Sequence, residues 1–153
     1  MARMLGELIA DAGLPSAVMR NESDVLVTGV VHDSRMVAPG VLFCCLRGAN
    51  SDGHAYAAAA VQSGAVALLV DHPVDLAVPQ VVVADTRVAI GPISSAFFGH
   101  PSQSLILIGI TGTNGKTTTT SLLAAVLQSA GMHTGVIGTL TGKHTTPEAP
   151  ELQ

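Results

Sequence analysis

The sequence contains few aromatic residues and few charges for its length. Of 153 residues, three are Phe, one is Tyr and none is Trp, so the core has to be built from Ala, Val, Leu and Ile. Only 12% are charged while 48% are hydrophobic, a balance that excludes a largely disordered chain. The net charge of −4 argues against a broad nucleic-acid-binding surface, because such surfaces are basic. We therefore expect a packed protein with no nucleic-acid partner.

Cysteines and long apolar runs are also scarce. The only two cysteines, Cys44 and Cys45, are neighbours in an apolar run, where adjacent strand residues face opposite ways and do not bond to each other. Such thiols are typical of reduced core residues in a cytosolic protein. No apolar run approaches the roughly 20 residues that span a bilayer, and the N-terminus has no signal-peptide pattern. These features predict a cytoplasmic protein without membrane insertion. The six histidines are scattered, without metal-ligand spacing.

The first hundred residues alternate between short helical and strand-like segments, which predicts an α/β domain. Apolar residues recur at i, i+3, i+4 and i+7 from Leu5 to Ala12, a pattern typical of an amphipathic helix, and Gly13 ends it. A further helix is predicted from Asp85, its N-cap, to about residue 98, and the Gly91-Pro92 pair should kink or interrupt it. The other predicted elements are a helix at 54–63 and strands at 25–31, 41–46, 67–70 and 81–84.

A polar segment with Gly, His, Pro and Ser, 99–104, has the composition of a linker. We place a domain boundary there, which gives domains 1–100 and 101–153. The second domain is predicted to contain a strand at 105–110, a helix at 117–130 and a strand at 134–138, with no element from 139 onward. One βαβ unit has fewer strands than a buried parallel sheet normally has. We therefore expect this second domain to be incomplete within the sequence.

The most informative segment joins the predicted strand at 105–110 to the helix that follows, and reads T-G-T-N-G-K-T-T at 111–118. Its glycines let backbone N–H groups approach an anion, and the helix N-terminus adds its positive dipole end. Lys116 is suited to β- and γ-phosphate oxygens, and the Thr117 hydroxyl to Mg²⁺. The pattern is a variant of the usual phosphate-binding P-loop, because Ile110 stands where that loop has its first glycine. The alternative is an ordinary strand-to-helix turn with Thr117 as N-cap.

Other short motifs surround this loop: D-S-R at 33–35, P-G-V-L-F at 39–43, D-G-H at 52–54 and T-T-P-E at 145–148. With the loop, they resemble the Mur ligase family over essentially the whole sequence. The loop alone also resembles folylpolyglutamate and cyanophycin synthetases. The D-S-R and T-T-P-E segments instead resemble the Mur ligases that add the third amino acid to UDP-N-acetylmuramoyl-L-alanyl-D-glutamate. The resemblance implies an α/β fold in which a small N-terminal substrate domain is followed by the first βαβ unit of a P-loop central domain.

The resemblance also implies roles for individual residues. Contacts with the UDP end of the substrate are expected from His32, Ser34, Ala49, Asn50 and Ser51, and contacts with its muramoyl part from Thr145 and Thr146. His144 departs from the asparagine often found before that threonine pair, so we assign it no contact. Simpler interpretations stay open: an Asx turn at Asp33, a surface ion pair at Arg35 and a helix cap at Asp52. The ATP-binding residues are expected to be Gly112, Thr113, Asn114, Gly115, Lys116, Thr117 and Thr118.

The implied reaction is ATP- and Mg²⁺-dependent amide bond formation through an acyl phosphate, in which Lys116 stabilises the transferred charge. The partners would be the UDP-N-acetylmuramoyl-dipeptide and a free amino acid, with meso-diaminopimelate the more widespread choice and L-lysine the other. Further Mg²⁺ ligands, a modified lysine and the part that selects the amino acid are expected beyond Gln153. We therefore expect these residues alone to be inactive and the complete enzyme to be a monomer. A non-catalytic UDP-sugar-binding module is the alternative from another functional class.

Overall fold

The computed structural model describes residues 1–21, 23–48, 51–138 and 148–152. Helices and strands alternate through its first hundred residues, so the α/β class is confirmed. The strands are β1 (Arg3–Met4), β2 (Val18–Arg20), β3 (Leu26–Val27), β4 (Gly29–Val31), β5 (Val41–Cys44), β6 (Ala67–Val70) and β7 (Gln80–Val82). The helices are α1 (Leu5–Asp11), α2 (Ala57–Gln62), α3 (Thr86–Phe97), α4 (Lys116–Ser129) and α5 (Ala149–Leu152). Short 3-10 helices cover Ser34–Met36, Gly53–Tyr56 and Pro101–Ser104.

The main sheet has the strand order β2-β7-β6-β5-β4. Its strands β4, β5, β6 and β7 are parallel, and β2 pairs antiparallel with β7 at one edge. Phe43 is in register with Val31 on one side and Leu68 on the other. Strands β1 and β3 form a separate antiparallel pair. Because consecutive parallel strands are neighbours, the segments that follow β4, β5 and β6 all emerge at the same edge of the sheet.

Two hydrophobic cores lie on opposite faces of this sheet, because strand side chains alternate between faces. Leu42 and Cys44 pack in the core that includes residues of α1 and α3, whereas Phe43 and Cys45 pack in the core that includes residues of α2. The two cysteines therefore face opposite ways and are both free, as predicted. Burial raises the pKa of both thiols, that of Cys45 to about 12, so both are protonated near neutral pH.

The strand predicted at 25–31 is two strands in two different sheets. Between β3 and β4, Thr28 is hydrogen-bonded to the turn at 39–40. Its backbone N–H donates to the Gly40 carbonyl (2.8 Å), and its side-chain hydroxyl donates to the Pro39 carbonyl (3.2 Å). These bonds take the backbone of Thr28 out of both strand pairings. The prediction of one continuous strand was wrong for that reason.

The helix predictions in this part differ from the structure in two details. The segment at 54–63 begins as a 3-10 turn and becomes helix α2 only at Ala57. Helix α3 is capped by Asp85 as predicted, but it continues through Pro92 without interruption. Proline removes one helical hydrogen bond at that point. Seven of the twelve α3 residues are buried, and their packing offsets that loss.

The second part of the chain differs more from its prediction. Helix α4 forms within one residue of its predicted limits, and Gly131 follows it with a φ of 81°. Residues 105–110 and 134–138, all of them described, form no strand, and Leu105, Ile106, Leu107 and Ile108 are exposed. Both strand predictions were wrong, because a strand needs a hydrogen-bonding neighbour and the described residues offer these segments none. Helix α5 forms at 149–152, where no element was predicted.

Within the described ranges, none of the helices is both long and apolar enough to cross a bilayer.

Candidate functional site

The carboxyl ends of β4, β5 and β6 meet at one edge of the main sheet, which we call the carboxyl edge. His32, Asp33 and Ser34 follow β4, the loop from Leu46 to Gly53 follows β5, and Asp71 follows β6. Open parallel sheets bind their ligands outside the carboxyl ends of their strands. Three of the residues expected to contact the substrate, His32, Ser34 and Ser51, therefore lie at the edge where a ligand is expected.

The first segment at this edge is a tight turn. The Asp33 carboxylate accepts from the Arg35 N–H (2.9 Å) and forms a two-pronged ion pair with the Arg35 guanidinium (2.9 and 2.6 Å). The bonds from Arg35 lower the pKa of Asp33 to about 2, so the carboxylate is charged near neutral pH. His32 and Ser34 are half-buried beside this turn. Both simpler interpretations, the Asx-type turn and the ion pair, are therefore present, and they hold Ser34 in a defined place.

The second segment, Leu46 to Gly53, is a loop closed by its own backbone. The Gly53 N–H donates to the Leu46 carbonyl and the Gly48 N–H to the Ser51 carbonyl, both at 2.8 Å. Asp52 caps the following 3-10 helix by accepting from the His54 N–H, which bears out the capping interpretation. Ser51 is exposed. Ala49 and Asn50, the other two residues expected to contact substrate, lie outside the described residues.

A network of charged and imidazole side chains at the carboxyl edge was missed by the sequence analysis. Asp71 forms ion pairs with Arg47 (2.8 Å) and His72 (2.5 Å), and its carboxylate lies 3.4 Å from His54 Nε2. On its other side, His54 Nδ1 lies 2.6 Å from the Asp52 carboxylate. The histidines are far apart in sequence and meet because β5 and β6 are neighbours. Spacing along the sequence does not show this cluster, and only a prediction of the strand pairing would have revealed it.

Electrostatics keep both carboxylates of this network ionised. The backbone and side-chain hydrogen bonds of His54 lower the pKa of Asp52. Burial acts to raise the pKa of Asp71, but the hydrogen bond from His72 and the other basic side chains around it outweigh burial, so the net pKa is lowered. The edge thus combines two anionic carboxylates with one guanidinium and two imidazoles.

The second candidate site is the glycine-rich loop before α4. Gly112 has a φ of 148° and Gly115, the N-cap of α4, a φ of 78°, conformations that favour glycine. Among the described residues, no side chain caps this helix. The first N–H groups of a helix have no partner within it, so those at the start of α4 are available to an anion. This geometry is compatible with a phosphate group, and the roles of 112–118 in ATP binding stay predictions.

Lys116 begins α4 and folds back over the loop. Its ammonium group donates to the Gly112 carbonyl at 2.5 Å, which holds the positive charge beside the free N–H groups. Thr117 and Thr118 are exposed in the first turn. Because the N-cap is Gly115, the alternative of Thr117 as N-cap is wrong. Thr117 lies inside the first turn of α4, directly after Lys116.

The end of the T-T-P-E segment lies against the first part of the chain. Glu148 forms an ion pair with Arg87 of α3, and another nitrogen of Arg87 donates to the Arg47 carbonyl at 3.3 Å. Ala149 packs against the core that contains α1 and α3. Thr145 and Thr146 lie outside the described residues. Their neighbour Glu148 is thus tied, through Arg87, to the loop that follows β5.

Comparison with known proteins finds two family models in succession along the chain. The Mur ligase family catalytic domain matches residues 26–98, and the Mur ligase middle domain matches residues 110–153. The first covers the strands and loops of the carboxyl edge, and the second begins at the glycine-rich loop. The order of the two matches follows the order of the two candidate sites.

Individual proteins give the same result. The chain is 44% identical over 144 residues to a UDP-N-acetylmuramoyl-L-alanyl-D-glutamate–2,6-diaminopimelate ligase of Halalkalibacterium halodurans, covering 88% of this chain and 30% of that protein. The fold of this chain is similar to that of MurF from Acinetobacter baumannii, with a TM-score of 0.66 and 30% identity; the match covers 80% of this chain and 27% of that one. It is also similar to MurF ligase from Thermotoga maritima in complex with ADP (TM-score 0.52, 25% identity, 66% and 23%). The chain thus spans less than a third of the length of these relatives.

Proposed function

Because the chain belongs to the Mur ligase family, we propose that it is part of an ATP-dependent amide ligase of peptidoglycan precursor synthesis. The proposed reaction adds the third amino acid to UDP-N-acetylmuramoyl-L-alanyl-D-glutamate. The sequence identity of 44% to a 2,6-diaminopimelate ligase supports meso-diaminopimelate over L-lysine as that amino acid. Residues 1–100 would bind the UDP-linked substrate, and residues 101–153 would begin the ATP-binding domain.

The UDP end of the substrate would bind at the carboxyl edge. His32, Ser34 and Ser51 supply polar groups there, and the Asp33–Arg35 pair and the closed loop after β5 hold them in place. We extend the proposal to Ala49 and Asn50, which stand between Gly48 and Ser51 in the sequence. Thr145 and Thr146 would contact the muramoyl part, and the Arg87–Glu148 ion pair supports it by tying the end of their segment to this edge.

The observation that carries the ATP assignment is the geometry of the loop from Gly112 to Lys116. Free N–H groups at the start of α4 would hold phosphate oxygens, and Lys116 would exchange its bond with the Gly112 carbonyl for the β- and γ-phosphates. Thr117 would bind Mg²⁺, since a hydroxyl oxygen suits this hard cation. The related ligase solved with ADP supports the choice of an adenine nucleotide.

The proposed chemistry depends on charge neutralisation and positioning. The substrate carboxylate would attack the γ-phosphate of ATP and release ADP, and the incoming amine would then displace phosphate from the resulting acyl phosphate to form the amide. Lys116 and the N–H groups of Asn114 to Thr118 balance the negative charge that develops during this transfer. The loop is exposed to solvent and offers little to exclude water. We therefore propose that these 153 residues alone do not catalyse ligation. Detection of ATP-dependent ligation by the purified chain would contradict this.

Two other functions are weaker candidates. A folylpolyglutamate or cyanophycin synthetase would share the phosphate loop, but the D-S-R and T-T-P-E segments count against both. A non-catalytic UDP-sugar-binding module would use the carboxyl edge and leave the phosphate loop without a nucleotide. Separate calorimetric titrations with UDP-N-acetylmuramoyl-L-alanyl-D-glutamate and with MgATP discriminate these functions. The ligase requires both to bind, whereas binding of the UDP compound alone indicates the non-catalytic module.

The decisive variant is Lys116→Ala. We expect it to weaken MgATP binding at least tenfold while leaving the UDP compound unaffected, because Lys116 lies in the phosphate loop and not at the carboxyl edge. Arg20→Ala is the control, since it removes an exposed positive charge from the edge strand β2 and should leave both affinities unchanged. Equal loss of both affinities in Lys116→Ala would mean that Lys116 supports the fold rather than the nucleotide.

A further inference from the structure

Three potential metal ligands converge at the carboxyl edge. The ligating atoms of His54, Asp71 and His72 all lie within 4.8 Å of one another. His54 belongs to the 3-10 helix after β5, and Asp71 and His72 directly follow β6. The pairing of these two strands, with Cys44 opposite Leu69, brings the ligands together. The cluster uses none of the residues assigned above to the UDP-linked substrate or to ATP.

His54 is held in a single orientation and tautomer. Its side chain is only 6% exposed, and its Nδ1 lies 2.6 Å from the Asp52 carboxylate. A carboxylate can only accept, so Nδ1 carries the proton. On the other side of the ring, the Asp71 N–H donates to Nε2 at 3.3 Å, so Nε2 is the unprotonated nitrogen. A carboxylate behind a histidine that turns its free nitrogen outward is the usual support of a metal-binding imidazole.

Asp71 is also oriented from behind. Its Oδ2 accepts from Arg47 Nε at 2.8 Å, which leaves Oδ1 between the two imidazoles. Oδ1 lies 3.4 Å from His54 Nε2 and 2.5 Å from His72 Nδ1. The first separation matches the roughly 3.3 Å between two ligands of a tetrahedral ion with bonds of about 2.0–2.1 Å. The His72 ring stacks on His54 at 4.4 Å between centroids, and its side chain is half-exposed, so the cluster opens to solvent.

We propose that His54 Nε2, Asp71 Oδ1 and His72 Nδ1 bind one divalent transition-metal ion of the Zn²⁺ type, with water as the fourth ligand. Two imidazoles and one carboxylate suit Zn²⁺ or Co²⁺, whereas Mg²⁺ and Ca²⁺ require more oxygen ligands. On binding, His72 moves away from Asp71 and the proton between them passes to solvent. The long bond from the Asp71 N–H to His54 is replaced by the bond to the metal.

Such an ion would connect two segments of the carboxyl edge. His54 directly follows the loop that carries Ser51, and Asp71 and His72 directly follow the buried strand β6. A metal bound to all three side chains would hold that loop against the sheet. This site differs in place and in ligand type from the Mg²⁺ site proposed at Thr117, so its test does not depend on the proposed ligase reaction.

The first experiment titrates the full 153-residue chain with Co²⁺ in the absence of nucleotide. We expect one equivalent to produce the intense visible absorption of a tetrahedral ion, and one equivalent of Zn²⁺ to abolish it. An excess of Mg²⁺ should have no effect, since it does not compete for imidazole ligands. Absence of the tetrahedral spectrum, or its loss on addition of Mg²⁺, overturns the proposal.

Variants assign the ion to the cluster. His72→Ala is the best variant, because His72 is half-exposed and its removal leaves the buried Asp52–His54 pair intact. We expect it to weaken Zn²⁺ binding at least tenfold, and Asp71→Asn to do the same. His133→Ala is the matched control, since it removes an exposed histidine after α4, and it should bind Zn²⁺ as the parent chain does. Equal affinity of the parent chain, His72→Ala and His133→Ala would show that the ion binds elsewhere and overturn the proposal.

Discussion

At the scale of single residues, two glycines in this fold should respond very differently to the same substitution. A Cβ on Gly53 would lie 2.6 Å from the Leu46 nitrogen and 2.8 Å from its carbonyl oxygen. These are backbone atoms of the loop that carries Ser51, so they cannot move aside without opening the loop. A Cβ on Gly91, within α3, would have no atom within 4 Å other than those of its chain neighbours and of the helix backbone around it.

We predict that Gly53→Ala lowers the free energy of unfolding by about 2 kcal/mol or more, because it overpacks the loop. Gly91→Ala should change it by less than about 1 kcal/mol, because the helix preference of alanine opposes the crowding of its Cβ by the ring of Pro92. The reactivity of the buried Cys44 and Cys45 thiols in increasing urea measures both effects at the main sheet. Similar urea midpoints for the two variants would contradict the role of close packing at Gly53.

Two buried hydroxyl groups form a second contrasting pair. The Thr86 hydroxyl donates to the Cys45 carbonyl at 2.9 Å, whereas the Ser94 hydroxyl has no hydrogen-bond partner among the described residues. We predict that Thr86→Val costs about 1–3 kcal/mol, because it leaves a buried carbonyl unpaired. Ser94→Ala should leave stability unchanged or raise it, because it removes an unpaired polar atom. Urea denaturation of both variants checks this, and a loss in Ser94→Ala as large as that in Thr86→Val would refute it.

At the scale of elements, helices α3 and α4 form in very different surroundings. Helix α3 buries seven of its twelve residues, whereas α4, all of whose residues are described, buries none. A solvated helix of this length has little stability of its own. We predict that the amides of α4 exchange with solvent much faster than those of α3 and β5, as hydrogen exchange followed by mass spectrometry can show. Equal protection of α3 and α4 would mean that α4 is stabilised by packing that its exposure does not reveal.

The same contrast explains which elements the sequence predicts. Helices α1, α3 and α4 were predicted closely because apolar periodicity, the Asp85 cap and the glycines after α1 and α4 are local signals. The strands at 105–110 and 134–138 were predicted from equally apolar runs, but a strand also needs a neighbour, which no local pattern reveals. Thr28 divides a predicted strand for a similar reason, since its partners Pro39 and Gly40 come from another part of the chain.

The candidate sites show the same difference between local signals and contacts between distant segments. The loop from Gly112 to Lys116 is contiguous, so its glycines and lysine predicted its shape. The turn at Asp33 and the cap at Asp52 are also local and were foreseen. The cluster of His54, Asp71 and His72 depends on the pairing of β5 with β6, and no spacing of residues along the chain indicates it. The roles of all the expected substrate- and ATP-binding residues stay predictions, and Ala49, Asn50, Thr145 and Thr146 also lie outside the described ranges.

At the scale of the whole molecule, four aspartates share one electrostatic property. Asp11, Asp33, Asp52 and Asp71 each have a net pKa below the ordinary value of 3.8, because they pair with Arg or His side chains. A carboxyl group whose pKa is lower in the folded than in the unfolded chain stabilises the fold at pH values above the unfolded pKa. That contribution is lost as the pH falls through the folded value, which is about 2 for Asp33.

We therefore predict that the contribution of these four groups to the free energy of unfolding is nearly constant from pH 7 to about 5. The free energy of unfolding should then decline from about pH 4 to 2. Urea midpoints across this range measure the decline.

Asp71→Asn should lower stability at pH 7 and reduce the decline, because it removes one of the four groups together with its pairs to Arg47 and His72. Asp75→Asn is the control, since Asp75 is exposed and makes no ion pair within the described part of the chain. A parent chain equally stable at pH 3 and pH 6 would show that these ion pairs contribute nothing to the fold, and an unchanged decline in Asp71→Asn would remove Asp71 from the explanation.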